Sequence, residues 1–332
     1  MQFLQLDTIE AARRRIQQHL VPTPLIRLGG DGNSRHLAVK PEHLQPGGSF
    51  KIRGAVNSVL LLTDDQKSRG VVAYSTGNHA QAVGLAAKAA STSATIVMSP
   101  DVPDYKLLAT CQLGARVVMA ESSSEGRRRL AEDIANKEGL TLIPPYDDPA
   151  VIAGQGTIGL EILDEETPAA IYVPVGGGGL IAGIAAAIKQ RESSVRVIGV
   201  EPAEENDTYL SWRADQRIGL SRSSNSIADA IKVQIPGQMT FPLIRRYVDD
   251  IVLVEDHQII AAMRLYFGET GHRLEPAGAT ALAAAISGRA AGSGTVVCIG
   301  SGQNIALERF EQLTGTASKA ELNVDGNVAT LP

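Results

Sequence analysis

The chain is poor in several things that would point to a specialised class. Only two of its 332 residues are cysteine, Cys111 and Cys298, far apart and at no metal-binding or redox spacing. A reducing cytoplasm is expected, with both thiols as small buried side chains. Basic residues are in deficit: 31 Lys and Arg against 36 Asp and Glu leave a net charge of −5. With no long Lys/Arg run either, the concentrated positive field that a nucleic-acid backbone requires is missing. Long apolar runs are also missing. A membrane-spanning helix needs about 18 or more consecutive apolar residues, and the best stretches, 180–188 and 277–286, are shorter and predict buried helices. Asp7 and Glu10 interrupt any apolar signal region. Asp7 or Thr8 followed by Glu10 instead predicts the capped start of an amphipathic helix, with Arg13–Arg15 on its solvated face.

Aromatic residues are scarce at 4%, yet 44% of the chain is hydrophobic and 33 residues are glycine. The apolar content is therefore mostly Ala, Val, Ile and Leu, which suits branched residues in buried strands, Ala-rich helices and Gly at the turns. Strand-like segments at 71–75, 94–98 and 115–119 alternate with helical ones at 78–90, 104–112 and 124–137. A second series runs through a strand at 170–175, a helix at 180–190 and a strand at 195–200, with later strands at 251–254 and 295–299. Two mainly parallel sheets are predicted, with ligands at the carboxyl ends of their strands. Residues 144–149, rich in proline and aspartate, form the strongest punctuation and predict a domain crossing. Residues 213–226 read as a mobile loop or short helix, and beyond 316 the chain turns small and polar, as a tail would.

Four junctions could carry chemistry. Gly176, Gly177, Gly178 and Gly179, with Leu180, join a strand to a helix, so backbone N–H groups can close on an anion at a positive helix end. Gly177, Gly179 and Ala182 also fit a dinucleotide-binding pattern, with Glu201 ending the next strand; on this segment alone a nicotinamide or flavin oxidoreductase stays open. Lys51 lies in Ser49-Phe50-Lys51-Ile52-Arg53-Gly54, just after Gly47-Gly48. A lysine at a helix start or partly desolvated loses basicity, and its neutral amine can form a Schiff base. Ser75-Thr76-Gly77-Asn78-His79 offers hydroxyls, an amide and N–H groups for a carboxylate, and Ser301-Gly302-Gln303-Asn304 follows the last strand. Glu201, Glu205 and Asp207 place three oxygen donors on one segment after a strand, a set suited to a hard divalent cation such as Mg²⁺.

Taken together and in this order, these segments, with Ala153-Gly154-Gln155-Gly156-Thr157, resemble the threonine dehydratase and serine racemase group of fold-type II pyridoxal phosphate enzymes, over most of the chain from Val21 to Asn304. The resemblance displaces the nicotinamide reading. It implies an α/β, tryptophan synthase beta-like fold of two lobes: a large cofactor-binding domain from residues 1–69 and 148–315, a small mobile domain of residues 70–147, and a tail at 316–332. It implies that Lys51 holds pyridoxal 5'-phosphate and, once displaced, removes the Cα proton. Phe50 would pack beside the ring and Asn78 would bond its hydroxyl. Gly176 to Gly179 with Leu180 would bind the phosphate, and Ser301 would face the ring nitrogen. Ser75, Asn78 and His79 would hold the substrate carboxylate. Glu201 and Asp207 would give a cation carboxylates, and Glu205 a backbone carbonyl.

The expected activity is removal of water and then ammonia from a β-hydroxy amino acid such as L-threonine or L-serine, giving a 2-oxo acid. A neutral Ser301 hydroxyl makes the ring a milder electron sink than a carboxylate would, which favours elimination. Racemisation is the alternative, because Thr76 stands where racemases carry a catalytic serine; its stiff β-branched side chain argues against reaching Cα. Ala230 and Gln303 stand where glycine is common in the group, so a bulkier substrate, including one derived from hydroxyectoine, is a further alternative. A homodimer is expected from the resemblance. With so little chain after Ser301, the regulatory domain of isoleucine-pathway dehydratases and its feedback by isoleucine are not expected.

Overall fold

The computed structural model describes residues 4–29, 36–221, 224–289 and 294–316. Apart from Thr316, the expected tail lies outside the described residues, as do Arg222 and Ser223. The chain begins with α1 (Leu6–Ile16), β1 (Ile26–Leu28), β2 (Leu37–Lys40), α2 (Lys51–Leu60) and α3 (Asp64–Arg69). It continues through β3 (Val71–Tyr74), α4 (Asn78–Ala89), β4 (Ala94–Met98), α5 (Asp104–Gln112), β5 (Arg116–Met119), α6 (Ser124–Glu138) and β6 (Thr141–Leu142). Next come α7 (Pro149–Glu165), β7 (Ala170–Pro174), α8 (Gly179–Arg191), β8 (Arg196–Pro202), α9 (Asp207–Ala214) and α10 (Thr240–Tyr247). It closes with β9 (Asp250–Val254), α11 (Asp256–Thr270), α12 (Pro276–Ala284), β10 (Val296–Ile299) and α13 (Leu307–Thr314).

Strands β1-β2-β10-β7-β8-β9 form a six-stranded sheet and β5-β4-β3-β6 a four-stranded one. Every pairing is parallel except β1 with β2. Strands β4, β7 and β10 are buried along their whole length, as parallel strands covered by helices on both faces must be. This is the α/β architecture of two helix-flanked sheets that the alternation predicts. Sequence reasoning did not find β1, β2 or β6. They run only two to four residues, too short for a period of two to register.

Two expectations need correction. Helix α1 starts at Leu6 with Gln5 at its N-cap and no side-chain capping bond, so neither Asp7 nor Thr8 is the cap; Asp7 supplies only first-turn charge. Cys298 is buried as expected, but Cys111 is exposed on α5. The punctuated segment 144–149 also supplies the cap of a helix. Asp148 caps α7, accepting from Ala150 N and Val151 N, while the residues just before it reach into the strand-end cleft described below. Among the described residues no helix is long and apolar enough to cross a membrane.

Glycine shapes the packing beside the site. Helix α7 carries Gly154, Gly156 and Gly159 in its interior, against ordinary propensity. A Cβ on Gly154 would stand 2.7 Å from both Arg53 O and Gly54 Cα, and one on Gly183 of α8 would stand 2.3 Å from Ile152 O. Backbone meets backbone at these points, so α2 and α8 rest directly on α7.

Candidate active site

The residues nominated from sequence gather where strands of both sheets end. Gly47 and Gly48 have φ of 77° and 71°, a left-handed turn that glycine adopts freely. The turn lays residues 48–50 along the exit of β10: Gln303 N donates to Gly48 O (3.0 Å), Phe50 N donates to Ser301 O (3.1 Å), and Ser49 pairs with Gly302. Lys51 at the start of α2 and Ser301, distant in sequence, are thereby held side by side.

Lys51 Nζ donates to Pro145 O at 2.7 Å and lies 5.2 Å from the centre of the Phe50 ring. No carboxylate pairs with it among the described residues, and burial pulls its pKa down to about 8. The first turn of α2 is fixed by Arg53, two residues on. The Arg53 guanidinium grips Glu42 (2.7 and 2.8 Å) and Glu161 (2.6 and 2.8 Å), and Lys40 bonds Glu161 at 2.6 Å. Both cations and both carboxylates are buried, so the charges cancel within the core. Breaking such a buried network by removing one partner typically costs about 3–5 kcal/mol.

At the end of β3, Ser75 Oγ accepts from Gly77 N (3.2 Å), and Gly77, not Thr76, is the N-cap of α4. The Asn78 amide is held from two sides: Nδ2 donates to Glu275 Oε1 (2.6 Å), and Oδ1 accepts from Asn304 Nδ2 (2.7 Å). His79 is buried with Nε2 2.8 Å from Ile143 O, a contact in which the ring must donate. Burial, helped by the Lys51 charge, lowers its pKa to about 3, so the imidazole is neutral and turned into the core. Only its backbone N–H is available to the cleft.

At the end of β7, Gly178 (φ 90°) caps α8 with no side-chain bond and no acid in the first turn. The positive end of α8 is left open to an anion. Thr240 Oγ1 bonds Gly177 O (2.7 Å), and the Asp147 carboxylate accepts from Gln238, Met239 and Thr240 N–H groups. Tyr146 lies against Gly177 and Gly179, where added Cβ atoms would come within 2.4 and 2.9 Å of it. Pro145 and Tyr146 thus link Lys51 to the glycine loop. Leu180 is buried beneath that loop.

A further buried cluster of carboxylates lies at the end of β8. Glu201 accepts from Thr208 N (3.1 Å) and Tyr209 N (2.7 Å) at the start of α9. Among the described residues, buried Glu205 Oε2 and both Asp207 carboxylate oxygens have no hydrogen-bond partner. Burial, then the Asp207 charge, pushes Glu201 up; burial, then Glu205, pushes Asp207 up. Among the described residues no three such side chains are arranged to hold a metal by themselves.

Sequence reasoning missed Glu275 and gave no individual role to Asn304, Arg53 or Tyr146. Glu275 had a signal, a single acid inside the apolar run 274–286. It is buried, its N–H bonds Gly302 O (3.0 Å), and burial followed by the Asp229 charge raises its carboxyl to about 7. Ala230 is exposed on the turn Asp229–Ile231, and it is Ile231 that abuts Gly176.

An amine of lowered basicity, an open glycine-lined helix terminus for a phosphate and a neutral hydroxyl at the neighbouring strand end define a pyridoxal-phosphate type of enzyme in an α/β scaffold. The chain belongs to the family described as pyridoxal-phosphate dependent enzyme, whose model matches residues 16–302. It is 40% identical over 316 residues to the Escherichia coli (strain K12) L-threonine dehydratase catabolic TdcB, covering 93% of this chain and 96% of that one. It is 37% identical over 311 residues to the Saccharomyces cerevisiae L-threo-3-hydroxyaspartate ammonia-lyase, covering 92% and 95%. Among solved structures it is similar to maize serine racemase, with a TM-score of 0.89, 36% identity and coverage of 94% and 97%. The oxidoreductase alternative falls with these matches. The cofactor of the family is pyridoxal phosphate, and the residues fit it: a glycine-lined helix terminus at Gly176–Gly179 with no side-chain cap, and a desolvated amine whose hydrogen-bond partner among the described residues is a carbonyl.

Proposed function

We propose that the protein is a pyridoxal-phosphate-dependent ammonia-lyase that removes water and then ammonia from a β-hydroxy amino acid such as L-threonine or L-serine. The observation that carries this reading is Lys51, depressed in basicity and following directly on the residues Ser49 and Phe50 that pair with the backbone of Gly302 and Ser301. When bound, pyridoxal phosphate withdraws electrons from the substrate Cα. The chain supplies the rest. Backbone N–H groups of Gly176 to Gly179 and Leu180 would hold the phosphate at the positive end of α8. Phe50 would pack beside the ring, Asn78 would bond its hydroxyl, and Ser301 would meet its nitrogen as a neutral partner. Ser75 and the N–H groups of Asn78 and His79 orient the substrate carboxylate, and Lys51 Nζ takes the Cα proton. The similar dehydratase and ammonia-lyase support elimination as the outcome.

A second reading is racemisation, favoured by the likeness to a serine racemase. It requires Thr76 to deliver a proton on the face opposite Lys51. Thr76 leaves the capping of α4 to Gly77, so its hydroxyl is not committed there. We rank it second on the stiffness of its side chain. Residues 70–147 are proposed as a small domain that closes on substrate and excludes water. A divalent cation is proposed at Glu201, Asp207 and the Glu205 carbonyl, supported by the unpartnered Asp207 oxygens. A homodimer in the cytoplasm completes the proposal.

The test is a screen for ammonia release over β-hydroxy amino acids with added cofactor, with D-serine measured in parallel. Release from L-threonine or L-serine well above D-serine formation is expected. No release from any of them, in protein that still shows the visible band of bound cofactor, would overturn the assignment.

A further inference from the structure

The loop that is proposed to receive the substrate carboxylate offers only neutral donors. Ser75 Oγ is already turned to Gly77 N, and His79 is an uncharged ring buried below. A carboxylate drawn into a partly desolvated cleft needs an opposite charge to offset its lost hydration. Lys51 is the nearest obvious cation, but it is assigned to the cofactor and to the Cα proton.

A second ammonium stands at this loop. Lys106, in the first turn of α5, has a side chain only 12% exposed, and its Nζ lies 3.9 Å from where a Cβ on Gly77 would stand. Its partner is Asp229 Oδ2 at 3.5 Å, a loose contact beside the 2.6 Å of the buried Lys40–Glu161 pair. Asp229 is 61% exposed and sits on the turn whose Ile231 abuts Gly176. The pair therefore reaches from a helix of the four-stranded sheet to a turn beside the glycine loop of the six-stranded one. The other charged group that acts on Lys106 from the cleft is Glu275, held by Asn78.

We propose that Lys106 is a substrate-binding residue that supplies the positive charge for the α-carboxylate at the Ser75–Gly77 loop, with Asp229 as its counter-ion until substrate arrives. The proposal rests on the reading of that loop as the carboxylate site. An exposed, loosely held counter-ion can share its ammonium with an incoming anion at little cost, and a charge-assisted bond then selects the free carboxylate over its amide. Substrates are accordingly free amino acids, with blocked carboxyl groups rejected.

Holoenzyme is titrated with L-alanine, which has no β-hydroxyl to lose, and with L-alaninamide, following the shift of the cofactor's visible band. Loss of a charge-assisted hydrogen bond predicts that Lys106→Met weakens L-alanine by about tenfold or more and L-alaninamide far less. Lys106→Arg restores most of the preference. With L-serine or L-threonine, Lys106→Met raises KM more than it lowers kcat. Retention of the visible band shows that the variants fold. Equal weakening of acid and amide, or an unchanged L-alanine titration, overturns the assignment of Lys106. Wild-type protein that discriminates acid from amide through Lys106 yet releases no ammonia from any β-hydroxy amino acid would instead sink the lyase reading and leave Lys106 standing.

Discussion

Lys51 shows how much a single residue owes to its surroundings. A free lysine amine has a pKa near 10.4, so at neutral pH almost none of it is nucleophilic. Here burial, with a carbonyl as its hydrogen-bond partner among the described residues, brings the value down to about 8. The sign is that of a depressed base: the neutral form gains as pH rises through 8, not through 10. The apo-protein should therefore take up pyridoxal phosphate at a rate that climbs about tenfold per pH unit below 8 and levels off above it. Stopped-flow absorbance across pH 6 to about 10 follows this directly, and a rate still climbing past about pH 9.5 would show an ordinary lysine. Lys51 was legible in sequence from its place at a helix start after Gly47-Gly48. Arg53 was not, because a buried arginine reads like any surface arginine until Glu42 and Glu161 are brought to it by distant elements.

Among the elements, α7 departs furthest from local propensity. On propensity alone, Gly154→Ala should stabilise a helix by about 1 kcal/mol. Its added methyl would instead meet the backbone of Arg53 and Gly54 at 2.7 Å, and backbone cannot rotate aside. Overpacking of about 1–3 kcal/mol is expected to win. Gly154→Ala should lower the melting temperature, whereas Gly268→Ala, exposed on α11 with nothing within 4 Å of the new methyl, should raise it slightly. A rise in both would mean that α2 and α7 are not in backbone contact. Most long elements were legible because parallel strands buried on both faces read as apolar runs and the helices between them as separate periods. The segment 144–149 was legible only as punctuation. Its contacts to Lys51 and to the glycine loop depend on partners from other parts of the chain.

For the molecule as a whole, the acidic cluster at the end of β8 tests whether buried charge is compensated. Glu201 and Asp207 are buried near other carboxylates and resist ionisation, and among the described residues the Asp207 oxygens have no hydrogen-bond partner. A bound divalent cation would remove that penalty and stabilise the folded state by mass action. Saturating Mg²⁺ should raise the melting temperature of wild-type protein. Asp207→Asn should melt higher than metal-free wild type and lose the response to the ion. Scanning calorimetry decides: no shift with Mg²⁺ or another divalent cation would leave Glu201 as a helix cap and nothing more.

The sequence by itself determined the alternation of strand and helix, the deficit of basic residues, and the chemical type of the strand-end residues. It did so because period, glycine content and residue type are local properties. Only the tertiary structure decided what those residues meet: that Lys51 and Ser301 are neighbours, that the His79 ring faces the core, that Glu275 and Asn304 bracket Asn78, and that Lys106 stands over Gly77. The physical reason is long-range closure. Each contact joins segments separated by tens to hundreds of residues through sheet pairing and glycine-lined helix packing, and no local pattern records which distant partner will complete it.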